Sequence, residues 1–185
     1  SAVNTMEYVQ IMTLGDALDF GDLHTAVFNQ HACSSPTKGF IISGSPSSYS
    51  NYQISTIASK GNSELGGEMT ISFGSSAACS NSVRAVVFGG GSPPVDTIDL
   101  ITLSTTGNAV SFGTLSEVRM LGAAVADGTR AVSVSGRNPS VVNTIEFVQI
   151  ATGGSAEDFG DMTQPSAGRQ KFMACSDSHG GLGGF

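Results

Sequence analysis

The chain has little basic charge, no tryptophan and no long apolar run. Only eight lysine and arginine residues oppose fifteen acids, which gives a net charge of −7. The basic residues are scattered, so no basic stripe exists to neutralise phosphates, and nucleic-acid binding is not expected. Nowhere do the roughly 20 apolar residues of a membrane helix occur in a row, so membrane insertion is not expected either. No signal-peptide pattern opens the sequence, and its start at Ser1 suggests a processed segment or a piece of a longer polypeptide.

Charged residues are scarce at 12%, whereas glycine, serine and threonine are abundant, with 24 glycines. No long helix-forming run is present. This usage favours short strands joined by tight turns, so we expect an all-β protein. A length of 185 residues fits a single domain, 1–185.

Four imperfect copies of one unit fill almost the whole chain. Their clearest segments are VNTMEYVQI at 3–11, NYQISTI at 51–57, VDTIDLI at 95–101 and VNTIEFVQI at 142–150. Aligned on Glu7, Gln53, Asp99 and Glu146, the copies are spaced by 46, 46 and 47 residues. The repeats run approximately over 3–48, 49–94, 95–140 and 141–185. Repeats of this length predict stacked or radially arranged supersecondary units.

Each copy contains four short strand candidates, which the third copy shows most clearly. A hairpin is predicted from 121–126 and 130–135 around the turn at 127–129, and two further strands at 97–103 and 111–115. Four antiparallel strands are the content of one propeller blade. Glycines occur at equivalent places in the turns of the four copies (Gly15, Gly61, Gly107, Gly153). They also recur in the strand that follows each of these turns (Gly21, Gly66, Gly113, Gly160). The residues before the second set are predicted to be core residues: Phe20, Leu65, Phe112 and Phe159.

The glycine-terminated strand RAVVFGGG at 84–91, followed by the TIDL strand at 97–100 and a polar turn, resembles the kelch motif of β-propellers. With its DFGDL and DFGDM segments at 19–23 and 158–162, the unit is similar to kelch-like repeats in structural proteins of tailed, particularly marine, phages. The tryptophan and tyrosine of standard kelch repeats are missing, so the resemblance is to the phage-like variant. It implies a β-propeller of four kelch-like blades.

The phase of the repeat bears on ring closure. In kelch order the chain begins with the third and fourth strands of a blade and ends with the first and second, Phe172–Cys175 and Gly181–Gly184. We therefore expect the two ends to complete one shared blade, which would hide the open strand edges. Two chains forming one larger ring, or an excerpt of a longer chain, are the alternatives. The oligomeric expectation is a monomeric closed ring or a homo-oligomer.

The three cysteines occupy equivalent places. Cys33, Cys79 and Cys175 stand in copies one, two and four, where copy three has Val125. Valine at this place favours a small buried apolar group, so buried thiols are predicted, with a disulfide as the alternative. Metal-ligand spacing is absent.

The positions Glu7, Gln53, Asp99 and Glu146 permit two interpretations. Basic residues at Lys38, Arg84 and Arg130, with His179 near the matching place, precede them by 15 or 16 residues, which predicts cross-strand structural pairs. Alternatively, Glu7, Asp99 and Glu146 form a ring of carboxylates around a central channel that binds a ligand or cation.

Other polar groups give no catalytic or metal pattern. The pairs Asp19 with Asp22 and Asp158 with Asp161 could bind calcium, but copies two and three lack them, so solvated turns are predicted. His24, His31 and His179 share no ligand spacing, and no serine stands out as a nucleophile. We predict no cofactor, no metal and no enzymatic activity. An enzyme acting on polysaccharide would need paired carboxylates about 5 to 10 Å apart.

Loops rich in serine and asparagine remain as binding candidates. The segments 45–51 and 137–140 present Tyr49, Asn51 and Asn138, which suit shallow sugar binding, although plain connections between blades explain them equally. The sequence favours a structural or surface-binding module of a phage virion or similar extracellular assembly, with other structural proteins or cell-surface polysaccharide as partners. A free-standing lectin-like carbohydrate binder is the alternative.

Overall fold

The computed structural model describes residues 2–42, 44, 50–72, 74–163 and 170–176. Fourteen strands and no helices occur in these ranges, which confirms the all-β prediction. The strands are β1 Val3–Tyr8, β2 Leu18–Val27, β3 His31–Ser34, β4 Lys38–Ile42, β5 Asn51–Thr56, β6 Glu64–Glu68, β7 Ala77–Ser80, β8 Arg84–Gly90, β9 Val95–Thr102, β10 Val110–Arg119, β11 Ala123–Ala126, β12 Arg130–Asn138, β13 Ser140–Gln149 and β14 Glu157–Asp161. Across the described ranges, nothing helical is long and apolar enough to cross a membrane.

The strands form four antiparallel sheets, numbered here along the chain. Sheet 1 holds β1–β2, sheet 2 β3–β6, sheet 3 β7–β10 and sheet 4 β11–β14, and each strand pairs with the next. The four-stranded unit predicted for each repeat is confirmed in sheets 2, 3 and 4. The predicted hairpin is formed by β11 and β12. Its turn is fixed by Asp127, whose carboxylate accepts the N–H groups of Thr129 and Arg130 at 2.6 and 2.7 Å.

The first strands of the complete sheets lie side by side, since β3 contacts β7 and β7 contacts β11. Residues 174–176 join them, and the four segments line one cavity of about 510 Å³. Ser80 Oγ donates to the Ser34 carbonyl at 2.8 Å, and Ser176 Oγ repeats this bond to the Ala126 carbonyl at 2.9 Å. We call this line of equivalent segments the axis.

The strand predicted at Phe172–Cys175 is not formed. Residues 172–176 have the position of a first strand, but no strand within the described ranges pairs with them to make a ladder. The companion strand predicted at Gly181–Gly184 lies outside the described residues. Sheet 1 therefore contains only β1 and β2 among the described residues, and the segment 170–176 lies on the axis.

A bulge in the fourth strand of each unit changes the predicted glycine alignment. In sheet 2, Tyr52 faces Gly67 and Gln53 faces Leu65, so Gly66 is the bulged residue. Phe112 is the bulged residue of sheet 3, because Ile98 faces Gly113 and Asp99 faces Ser111. Gly67 is thus the equivalent of Gly113, and the prediction of Gly66 was wrong. A Cβ on Gly66 would lie 2.1 Å from the Tyr52 ring, so the tyrosine fills the space beside this bulge.

The core consists of layers between neighbouring sheets. One layer, between sheets 2 and 3, includes Phe40, Tyr52, Val87 and Ile101, and a second, between sheets 3 and 4, includes Val86, Phe88, Ile98, Ala131 and Val148. Side chains of β8 alternate between the two layers, as the period of two in RAVVF requires. Two predicted core residues were wrong, because Leu65 is 48% and Phe159 55% exposed. Phe20 and Phe112 are half-buried.

Candidate functional site

The recurring acid or amide of the third strand connects adjacent sheets. Gln53, Asp99 and Glu146 are all buried, at 0, 0 and 2% exposure. Each accepts a backbone N–H from the fourth-strand side of the preceding sheet: from Thr25 at 3.0 Å, from Thr70 at 2.8 Å and from Ser116 at 3.1 Å. A buried backbone donor needs such a partner, so the repeated residue has a structural reason in each interface.

The predicted pairing of these residues with Lys38, Arg84 and Arg130 was wrong, and His179 lies outside the described residues. Lys38 faces Thr56, Arg84 faces Thr102 and Arg130 faces Gln149 across the strand pairs. The sequence spacing brings the two residue types to neighbouring strands, but the register places them several positions apart. The Arg84 guanidinium instead donates to the Ile150 carbonyl of sheet 4 at 2.6 Å. Arg130 stacks over the Phe147 ring, 4.7 Å from its centroid.

The structure does not gather the candidate acids around a channel. Asp99 and Glu146 lie between sheets, whereas the cavity on the axis is lined by the first strands and 174–176. A soluble ligand would have to displace the hydrogen bonds that these two carboxylates receive from the neighbouring sheet. Glu7, the equivalent residue of sheet 1, is exposed and lies on β1.

Arg119, a charged residue that is buried between sheets, was not identified from the sequence. Its guanidinium forms a buried ion pair with Glu146 and donates a second bond to the Thr144 carbonyl at 3.3 Å. Arg119 is 2% exposed, and its Nε is a buried nitrogen without a hydrogen-bond partner in the described part of the chain. The signal was available, because Arg119 replaces Val27 at the equivalent end of β2, and β2 and β10 share the same burial pattern.

Asp99 has a perturbed titration. Burial raises the pKa of the Asp99 carboxyl above its usual range, and the hydrogen bonds from the Thr70 hydroxyl and N–H, at 2.6 and 2.8 Å, partly offset this. The charged form therefore costs free energy in the folded state that it does not cost in the unfolded chain.

We expect Asp99→Asn to have a higher free energy of unfolding relative to the natural chain at about pH 7 than at about pH 4. The difference between the two proteins therefore grows in favour of the variant as pH rises. Because the folded pKa is the higher one, the stabilising contribution of Asp99 is present below the unfolded pKa and is lost as pH rises through the folded pKa. The amide cannot ionise and escapes this loss. Urea unfolding of both proteins at the two pH values measures the effect, with Asp19→Asn on the exposed part of β2 as the control. Parallel pH profiles for the natural chain and Asp99→Asn would contradict it.

The axis carries the three cysteines. Cys79 is buried, Cys33 is half-buried and Cys175 is exposed, and all three are free thiols. The buried-thiol prediction is confirmed for Cys79 and wrong for Cys175, which is exposed. Burial raises the pKa of Cys33 to about 12 and raises that of Cys79 as well. These two thiols are therefore poor nucleophiles at neutral pH.

A second cavity of about 580 Å³ continues along the axis toward the fourth-to-first strand connections. It is lined by 29–32 together with equivalent residues near 75, 121 and 171. Asn29, Ser75, Leu121 and Lys171 all adopt positive φ, between 56° and 61°. The N–H of Leu121 donates to the Ser75 carbonyl at 2.7 Å, and the N–H of Lys171 to the Leu121 carbonyl at 2.9 Å. Each connection therefore enters the axis in the same way.

The predicted loop residues are described in part. Tyr49 lies outside the described residues. Asn51 begins β5 and Asn138 ends β12, so the two lie in different sheets, and both are half-buried. Next to Asn138, the Arg137 side chain donates to the Pro139 carbonyl at 2.7 Å.

The aspartate pairs lie in or beside the fourth strands. Asp19, Asp22, Asp158 and Asp161 are exposed. The N–H of Asp22 donates to the Asn62 side chain at 2.9 Å, so this segment contacts the next sheet. Among the residues that the structure describes, no group of three or more His, Cys, Asp and Glu side chains is placed to hold a metal ion.

No family model and no curated protein matches this chain. The resemblance to kelch-like repeats therefore depends on the residues quoted above.

Proposed function

We propose that the four sheets are the blades of a kelch-like β-propeller, in which the two chain ends share one blade. Two observations support this architecture. Four equivalent segments line the axis cavities, as the innermost strands of four blades would. Three successive sheet interfaces use the same acid or amide to accept an N–H from the preceding sheet.

The proposed role is a non-enzymatic structural or surface-binding module of a phage virion or similar extracellular assembly. The observation that supports this role is that the recurring acid or amide residues already form hydrogen bonds between sheets within the fold. Gln53, Asp99 and Glu146 hold sheets together, so recognition is left to the loops and edges of the sheets. A hydrolytic activity that depended on one defined residue would overturn this role.

The second candidate is a lectin-like carbohydrate binder. Asn51 and Asn138 lie at the same end of their sheets, near the loops that join second and third strands, and both keep part of their side chain accessible. Equivalent shallow sites on several blades would bind a polysaccharide weakly one by one and tightly together.

A binding screen separates these roles. The purified protein is tested against bacterial surface polysaccharides and simple glycans, together with Asn51→Ala and Asn138→Ala. The control is Ser104→Ala, an exposed residue of the turn after β9 at the opposite end of its sheet. Saturable binding that the asparagine variants weaken about tenfold or more while the control is unchanged supports carbohydrate recognition. No binding across the panel contradicts it and favours a scaffold role with protein partners.

A further inference from the structure

The three interfaces between neighbouring sheets are built from matching parts. The strand side of an interface is the fourth strand of one sheet, and the turn side is the third strand of the next sheet with the turn that follows it. Gly61 donates its N–H to the Phe20 carbonyl at 2.7 Å, and Gly154 does the same to the Phe112 carbonyl at 3.0 Å. A Cβ placed on Gly113 would lie 2.0 Å from the Gly154 carbonyl oxygen. Such backbone contact leaves room only for glycine on the strand side.

The chain carries one strand side and one turn side that are unused among the described residues. The unused strand side is 159–163, at the edge of sheet 4, and the unused turn side is Glu7 with residues 14–16, in sheet 1. Gly160 has no atom within 4 Å of the place where its Cβ would be, whereas a Cβ on its equivalent Gly67 would lie 2.7 Å from the Gly107 carbonyl oxygen. Glu7 is exposed, although its three equivalents are buried.

The unused sides match residue by residue. Repeat spacing makes Leu14 and Phe159 equivalent to Gly153 and Phe112, which are in contact: a Cβ on Gly153 would lie 3.0 Å from the Phe112 ring. Leu14 and Phe159 are 104% and 55% exposed, so joining the two sides would cover apolar surface that water now contacts.

The polar positions match in the same way. Glu7 and Thr163 are the equivalents of Glu146 and Ser116, whose carboxylate oxygen and N–H are 3.1 Å apart. A Glu7 carboxylate facing the Thr163 N–H would complete the set of hydrogen bonds that Gln53, Asp99 and Glu146 already make.

We propose that 159–163 docks on Glu7 and residues 14–16 of the same chain, forming a fourth interface that we call the seam. The inference rests on the propeller architecture proposed above and adds which residues close it. A second copy of the chain is the less suitable occupant, because four inner segments of one chain already line the axis cavities. Two chains sharing one larger ring would hold those segments farther apart.

The seam differs from the other interfaces in its charge. At the position after the strand-side glycine, the backbone N–H of Asp22 donates to the Asn62 side chain, that of Glu68 donates to the Asn108 side chain, and the hydroxyls of Thr114 and Ser155 are hydrogen-bonded. The seam brings Asp161 to Asp16 instead. Two carboxylates held close together repel, so we expect the seam to be weaker than the other three interfaces at neutral pH.

A cysteine pair tests the seam. The side-chain oxygens of Thr114 and Ser155 are 3.2 Å apart, so cysteines at the equivalent positions can form a disulfide. Asp16→Cys with Asp161→Cys is made in a Cys175→Ser background, because that native thiol is exposed. Oxidised glutathione serves as the oxidant: each disulfide formed reduces one molecule of it to two of glutathione. Thr114→Cys with Ser155→Cys is the positive control, and Asp16→Cys with Thr114→Cys, which face different sheets, is the negative control.

Three outcomes decide the proposal. A disulfide within one chain, formed as completely as in the positive control and measured by mass spectrometry of peptides, supports the seam. A disulfide between two chains overturns it in favour of a second copy. No disulfide, while the positive control forms, also overturns it. The polysaccharide screen tests the binding role separately, so neither failure is mistaken for the other.

A second measurement does not depend on cysteine chemistry. Asp16→Asn copies Asn62 and Asn108 and is expected to raise the urea midpoint of unfolding, because the opposing carboxylate is removed while an acceptor for the Asp161 N–H is kept. Asp22→Asn is the matched control, since its partner is already neutral, and no shift is expected. Equal shifts in the two variants would contradict the seam.

Discussion

Arg119→Val is expected to destabilise the protein by about 3 to 5 kcal/mol, the usual cost of removing one partner of a buried ion pair. Glu146 would remain buried at 2% exposure, with the Ser116 N–H as its remaining hydrogen-bond partner. The carboxylate would then have lost its compensating charge in a medium that solvates it poorly. Urea unfolding at neutral pH measures the loss.

The chain supplies its own template for the control. At the interface of sheets 1 and 2, the equivalent positions hold Val27 and Gln53, both buried and without charge. The double variant Arg119→Val with Glu146→Gln copies that pair, so its stability is expected to equal or exceed that of the natural chain, by up to about 4 kcal/mol. Glu146→Gln alone leaves a buried guanidinium and is expected to be destabilised. If both single variants and the double variant lose the same free energy, the ion pair is not the cause.

The strands and turns could be predicted because their signals are local. The alternation in 97–103 and the Asp-Gly-Thr turn at 127–129 specify a strand and a hairpin within a few residues. The repeat then extends each assignment to the other copies. That is why four-stranded units were predicted correctly for sheets 2, 3 and 4 from one clear copy.

The partners of the recurring acids could not be predicted, because they come from another sheet. Asp99 is bonded to Thr70 and Glu146 to Arg119, each almost 30 residues earlier in the chain. A cross-strand pair within one sheet was the nearer alternative in sequence, and the strand register excluded it. Spacing alone identifies which residues repeat, but the register and the packing between sheets decide what they bind.

The glycine alignment failed because it departed from the period of the repeat. Gly67 lies 46 residues from both Gly21 and Gly113, as the period requires, whereas Gly66 lies 45 and 47 residues from them. The packing agrees with Gly67, since the Tyr52 ring occupies the space beside Gly66, while Gly67 lies against the Gly107 carbonyl. Gly154 likewise, and not Gly153 as predicted, is the turn glycine that Gly113 contacts.

Gly113→Ala is the second substitution expected to have a large effect, a loss of about 3 kcal/mol, at the upper end of the usual cost of overpacking. The new Cβ would lie 2.0 Å from the Gly154 carbonyl oxygen, and a backbone carbonyl cannot move aside as a flexible side chain would. Sheets 3 and 4 would have to separate. This would lengthen the bonds from the Gly154 N–H to the Phe112 carbonyl, now 3.0 Å, and from the Ala156 N–H to the Thr114 carbonyl, now 2.8 Å. Thermal or urea unfolding measures the loss.

Gly107→Ala is the matched control for this contact. Gly107 is a turn glycine of the same repeat, and a Cβ placed on it meets nothing within 4 Å. The variant is expected to be up to about 1 kcal/mol more stable than the natural chain, because alanine reduces the conformational entropy of the unfolded state. A loss as large in Gly107→Ala as in Gly113→Ala would mean that backbone freedom, and not the close approach of sheets 3 and 4, explains the glycine at position 113. A loss confined to Gly113→Ala, accompanied by faster hydrogen exchange at the Gly154 and Ala156 amides, would locate the damage in that interface.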